Sequence, residues 1–107
     1  MPELSRDPLA FIRRCVRERR VFWTYHVNMR LERRSISREE LLDAVESFEI
    51  VEAYPDDKYL PSYLILAASA FHVLFAVDVE GDNVRVVTAY RPDPLEWEPD
   101  LRTRRMR

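Results

Sequence analysis

Residues 49–90 constrain the fold more than any other part of this 107-residue chain. Four runs there, EIVEAY, SYLILAAS, FHVLFAVDV and VRVVTAY, are dense in branched and aromatic residues and read as strands. The links between them are short. PDDKYLP joins the first two, a tight junction near Ser69-Ala70 joins the middle pair, and EGDN, with the only glycine, joins the last two. Such links favour antiparallel neighbours, so the spacing predicts a meander of four strands.

The first half reads as helical. Asp7-Pro8 is an N-cap followed by a proline at the first helical position. Leu9, Ile12 and Val16 then recur at helical spacing, with Phe11 and Cys15 beside them, which predicts an amphipathic helix over 8–19. Its other face carries Arg13, Arg14 and Arg17. RVFWT is short and β-prone, either a brief strand or an extended link. Thr24 caps a second helix over 25–34, with Val27 and Leu31 as its buried stripe. Ser37 and Glu40 form a capping box that opens a third helix, burying Leu41, Leu42 and Val45, with Phe48 near its end. Helices followed by such a sheet make an α+β domain, with the N-terminal helices packed on one face of a four-stranded antiparallel sheet. A single domain with a core over about 8–92 is expected. The tail, 93–107, holds prolines and then arginines and reads as extended and partly mobile.

Composition removes several classes of function. Hydrophobic residues make up 47% and charged residues 34%, a balance that fits a folded, soluble chain. No apolar run approaches the roughly 20 residues of a membrane helix, and the first residues lack a secretory core. A cytoplasmic, bacterial-type protein without membrane contact is the expectation. Cys15 is the only cysteine and reads as a small apolar residue on a helix. With two histidines far apart, neither a cysteine zinc site nor a histidine metal centre is expected, and any chemistry should need no metal or cofactor. No glycine-rich phosphate loop and no nucleophile turn is present.

Charge is unevenly placed. Residues 1–38 hold ten arginines against four acids, residues 39–100 three basic groups against fifteen acids, and the last seven residues four arginines. Sixteen of the seventeen basic residues are arginine, the side chain that grips phosphate or carboxylate with two parallel bonds. The ends therefore suit a nucleic acid, and the acidic middle a basic partner.

Two constellations can carry chemistry. In TYHVNMRLERRSIS, His26, Arg30 and Arg34 are spaced four apart along one helix face. Two arginines there can hold a phosphate, and an imidazole one turn away can exchange a proton. Metal-free RNA cleavage needs those groups, to deprotonate the 2′-hydroxyl, protonate the leaving 5′-oxygen and stabilise the phosphorane. In the sheet, His72 opens the third run while Thr88 and Tyr90 share one face of the fourth, so imidazole, hydroxyl and phenol meet if those strands are neighbours. Arg91 adjoins Tyr90 and joins Arg34 and Thr88 as substrate-binding candidates; His26, Arg30, His72 and Tyr90 are the catalytic ones. The plainer reading stays open for each: the arginines pair with acids of the next helix, and His72, Thr88 and Tyr90 pack in the sheet. Trp23 and Trp97 read as core anchors or tail clamps. Glu49, Glu52, Asp56 and Asp57 either pair with arginines or face water.

In order along the chain these features resemble a bacterial domain family named only as of unknown function. Its members read approximately T-x-H-A-x-x-R-M-x-x-R-G-I-S, then G-E-I-I-E-x-Y-P-D-D, a histidine-valine strand, and I-T-x-Y-x-P-D with a downstream tryptophan. The matches here are Thr24, His26, Arg30, Arg34, Ile36 and Ser37, then Glu49 to Glu52, Tyr54 to Asp57, His72-Val73, Thr88, Tyr90, Pro92, Asp93 and Trp97. Ser35 stands where the family has glycine. The family in turn resembles RelE- and BrnT-like toxins, small α+β ribonucleases of type II toxin–antitoxin modules. That resemblance implies a metal-independent endoribonuclease of toxin architecture, acting on RNA and restrained by a cognate antitoxin, in some cases of zinc-finger type. The alternative is a non-catalytic adaptor of the same fold that binds protein or nucleic acid, which the acidic pI of about 5.7 favours. A homodimer formed through an exposed strand edge is a further expectation.

Overall fold

The computed structural model describes residues 3–106. Helix α1 (Pro8–Arg17) begins where the Asp7 carboxylate accepts the Ala10 N–H at 3.1 Å. A short strand, β1 (Val21–Trp23), leads into α2 (Tyr25–Arg33), whose first turn is held by the Thr24 hydroxyl accepting the Val27 N–H at 3.1 Å. Helix α3 (Arg38–Asp43) opens with both bonds of the capping box in place. A single 3₁₀ turn, Val45–Ser47, then delivers the chain to β2 (Glu49–Tyr54), β3 (Ser62–Ala67), β4 (Phe71–Asp78) and β5 (Asn83–Tyr90).

Both longer helices stop at a left-handed residue, Arg19 with φ 60° and Ser35 with φ 56°. After α2 the Ile36 N–H folds back to the Leu31 carbonyl at 3.0 Å and the Ser35 N–H to the Glu32 carbonyl at 3.3 Å. This is a Schellman closure, and buried Leu31 and Ile36 supply its usual apolar contact. The same pattern at Arg20 and Cys15 ends α1 two residues before the predicted boundary.

The sheet departs from the predicted four antiparallel strands. It has five, in the order β1-β5-β4-β3-β2, and it is mixed, because β1 lies parallel to β5 with Val21, Phe22 and Trp23 opposite Val84, Arg85 and Val86. Short loops reveal only hairpin neighbours. A three-residue strand whose partner lies some sixty residues downstream leaves no local trace, and a parallel partner requires a long crossover. The four meander strands themselves follow the expected order and pair antiparallel. The junction between β3 and β4 is made without glycine, by Ala68 and Ser69 at φ 53° each.

Alternation splits the sheet into two faces. Ile65, Phe71, Val73, Phe75 and Val86 face the helices and pack with Ile12, Val16, Leu31, Leu41 and Phe48 into one buried core. Cys15 is in that core, and burial pushes its thiol up from the ordinary value. Irregular register in β2 at Val51 and in β5 at Val87 keeps Glu49, Glu52, Thr88 and Tyr90 together on the opposite, open face. No helix among the described residues is long and apolar enough to cross a membrane.

Candidate functional site

Cross-strand partners on the open face line up in three rows. Glu49, Leu66, His72 and Tyr90 form the first, Glu52, Leu64, Leu74 and Thr88 the second, and Tyr54, Ser62, Ala76 and Arg85 the third. Imidazole and phenol therefore do meet: His72 is opposite Tyr90, and Thr88 lies one row away.

The tail covers the first row. It is not extended as predicted but closes into a small hairpin, with the Glu98 N–H on the Thr103 carbonyl and the Arg105 N–H on the Glu96 carbonyl, each at 2.8 Å. The turn is held by Asp100, which accepts from the Arg102 and Thr103 amides at 2.8 and 3.0 Å, and these bonds keep its carboxyl below the usual range. The hairpin buries Trp97 edge-on against His72, 4.5 Å between ring centres, and lays the Arg104 guanidinium over the indole at 4.5 Å. Two forked ion pairs fasten it to β2: Arg102 to Glu49 at 2.6 and 3.1 Å, and Arg104 to Glu52 at 2.6 and 3.0 Å. The final residue of the predicted tail, Arg107, lies outside the described residues.

His72 is wholly buried beneath this cover. Its Nε2 is 2.7 Å from the Leu101 carbonyl, which can only accept, so Nε2 carries the proton. Nδ1 then accepts from the Tyr90 hydroxyl at 3.3 Å. Burial pushes the imidazole below its ordinary value and the Tyr90 phenol above its own, so both groups are neutral at pH 7. The Glu52 carboxyl is held low, chiefly by Arg104.

Helix α2 runs beside β5, along the edge that three-residue β1 leaves unpaired. Arg34, at its C-terminal end, donates to the Ala89 carbonyl at 2.6 Å and reaches the Thr88 hydroxyl at 3.4 Å. Arg91 donates to the Ser35 carbonyl at 3.1 Å and lies 3.8 Å from Glu40. His26 and Arg30 are exposed on the same helix, and the His26 ring meets the Tyr25 ring edge-on at 6.3 Å. Eight residues of helix put His26 about 12 Å from Arg34 along the axis. The fold thus joins Arg34, Thr88, Tyr90 and His72, and leaves His26 apart from His72.

Carboxylates pair with most arginines outside α2, as in Arg14–Asp82, Arg17–Glu46 and Arg85–Asp78, while Arg13, Arg19 and Arg38 donate to the Phe48 and Val16 carbonyls and the Asn28 amide oxygen. Among the described residues no ion pair involves Arg30, Arg33 or Arg34 of the α2 surface. Three cavities lie along the open face. One of about 440 Å³ is lined by Arg34, Tyr90, Arg91, Asp93 and Glu96. A second, of about 340 Å³, lies between Tyr54, Thr88, Tyr90 and Arg104. The third, of about 450 Å³, runs under the 55–61 loop. Tyr90 is common to the first two, and Asp57 and Leu74 to the last two, so they form one trough along the open face. Among the described residues no group of three or more His, Cys, Asp or Glu is arranged to hold a metal ion.

Arg104, Tyr54 and Asp57 line the trough without having been singled out as site residues from the sequence. Their signals were a basic alternation at 102 and 104, the two acids of EIVEAY and the Asp56-Asp57 pair. None of these says which strand the tail crosses.

A family model, domain of unknown function DUF4258, matches residues 23–91, and the chain belongs to that family. The match runs from the last residue of β1 to just past β5 and stops short of the tail hairpin. No curated protein and no solved structure matches the chain significantly.

Proposed function

We propose that this chain is a toxin-like endoribonuclease that binds single-stranded RNA across the α2 surface and the trough and cleaves it without a metal. The observation that carries the reading is the set of α2 arginines without a carboxylate partner among the described residues, beside Thr88 and Tyr90, in a chain whose other arginines largely face carboxylates. Arg34 and Arg30 would neutralise the scissile phosphate and stabilise the added charge of the phosphorane. Tyr90 stays protonated and can turn its hydroxyl from His72 to the leaving 5′-oxygen. His26, about 12 Å from Arg34 along the same helix, would take up the 2′-hydroxyl proton only through intervening solvent. His72 acts on RNA only through Tyr90, as a positioning residue. A RelE-like toxin architecture is part of the same proposal and rests on analogy between α+β folds. A cognate antitoxin would restrain such an enzyme by covering the α2 arginines, and an acidic segment suits that face.

A second reading, an RNA-binding adaptor without catalysis, is favoured by one fact: both nitrogens of His72 are occupied inside the fold. Induced expression separates the two. Wild type in a bacterial host should arrest growth and create new transcript 5′ ends, and Arg34→Ala and Tyr90→Phe, still folded, should do neither. Normal growth and unchanged transcripts with a folded wild type would discard the nuclease reading.

A further inference from the structure

The third cavity has a composition that suits a flat ring rather than a phosphate. Its floor is aliphatic, from Leu74, Ala76 and Val87, and its wall is the 55–61 loop. Tyr59 on that loop is 79% exposed, packs against nothing in the core, and has the Lys58 ammonium 5.4 Å from its ring centre. Such a ring is a platform for a nucleobase. Lys58 forms no ion pair among the described residues, whereas Arg85, which also lines the cavity, is paired with Asp78. The Lys58 ammonium would meet a phosphate flanking a bound base.

One acid faces this space. Asp57 lines both the cavity and its neighbour, and its carboxylate is oriented by the hydroxyl of Ser62, a residue 2% exposed. A carboxylate only accepts hydrogen bonds. On the pairing edges of the four RNA bases, guanine alone presents two adjacent donors, N1–H and N2–H, to such a group. Adenine, cytosine and uracil each set an acceptor next to their donor, and a carboxylate repels it. We propose that this cavity is a base-reading subsite for guanine in single-stranded RNA, with Asp57 as the specificity-determining residue and Tyr59 as the stacking platform. The subsite rests on the RNA reading above and places guanine next to the phosphate site, since Asp57 and Leu74 border both cavities.

Binding of the 2′-O-methylated trinucleotides UGU, UAU, UCU and UUU, which 2′-hydroxyl attack cannot cleave, tests it. Titrations of the full chain followed by amide shifts should show UGU binding about tenfold tighter or more than the other three, with shifts at Tyr59 and Val87. Asp57→Asn, which offers one acceptor in place of two and can still accept from Ser62, should reduce the preference to within about twofold while UUU binding holds. Equal affinities for all four, or shifts remote from the cavity, overturn the proposal. Guanine preference without cleavage of natural RNA would support the subsite and discard the nuclease, and cleavage with no guanine preference would do the reverse.

Discussion

Replacing Trp97 by alanine should unfold more than the tail. The indole is buried between His72 on β4 and the Arg104 guanidinium, at 4.5 Å from each. A buried tryptophan hides about 150–250 Å², which at about 25 cal/mol per Å² gives roughly 4–6 kcal/mol as an upper bound. Measured losses for removing buried aromatics run at about 3–5 kcal/mol, and the cation–π contact adds about 0.5–1 kcal/mol at a half-exposed arginine. About 4 kcal/mol is therefore expected. For a domain of this size each kcal/mol moves the melting temperature by about 4–8 °C, so thermal unfolding should shift down by at least about 16 °C. Leu95→Ala, at a side chain 76% exposed on the same segment, should cost less than about 0.5 kcal/mol. A Trp97→Ala shift below about 4 °C would show that the hairpin does not belong to the cooperative fold. The account of His72 as a covered, structural imidazole would fall with it.

Two further outcomes follow from single residues. Burial holds the His72 imidazole below its ordinary value against the opposing pull of the Leu101 carbonyl and Glu52, with Arg104 and Tyr90 as the other facing groups. Below pH about 6.5 the unfolded chain thus binds a proton that the fold refuses, and stability, complete above that pH, should decline by up to about 1.4 kcal/mol per pH unit as pH falls. Urea unfolding at pH 7.5 and 5.5 should reveal the decline in wild type and its absence in His72→Gln; an unchanged decline in the variant would contradict it. Ser35 holds φ 56° where a glycine has no Cβ penalty, worth about 1–2 kcal/mol, less the roughly 0.4–1 kcal/mol of freedom glycine adds to the unfolded chain. Ser35→Gly should therefore stabilise by about 0.5–1 kcal/mol in the same assay, and a loss would mean that the α2 closure is not strained.

What could be read from the chain was local. Asp7, Thr24 and Ser37 mark helix starts because capping is a matter of three or four residues. The meander strands were legible because their alternation and short links sit in sequence, and that register alone put His72 across from Tyr90. The pairing of Val21–Trp23 and the closure of the tail were not legible for the same reason. Their partners lie far along the chain, and nothing in RVFWT or LRTRRMR names β5 or Glu52. The burial of His72 depends on that tail. A histidine that opens a strand looks available for proton transfer until Trp97 is placed over it. His26 and Arg30 kept the exposed face their spacing implied, while Arg34 was drawn to Ala89 by a strand edge that β1 is too short to cover.

The most direct test of the central claim is incubation of the purified chain, in excess EDTA, with a single-stranded RNA and with the same oligonucleotide carrying deoxyribose throughout. The account predicts that the RNA is cut to products ending in a 2′,3′-cyclic phosphate and a 5′-hydroxyl, that the deoxy strand survives, and that Arg34→Ala leaves both intact. RNA that stays whole with a folded protein, or cleavage that EDTA abolishes, would contradict it.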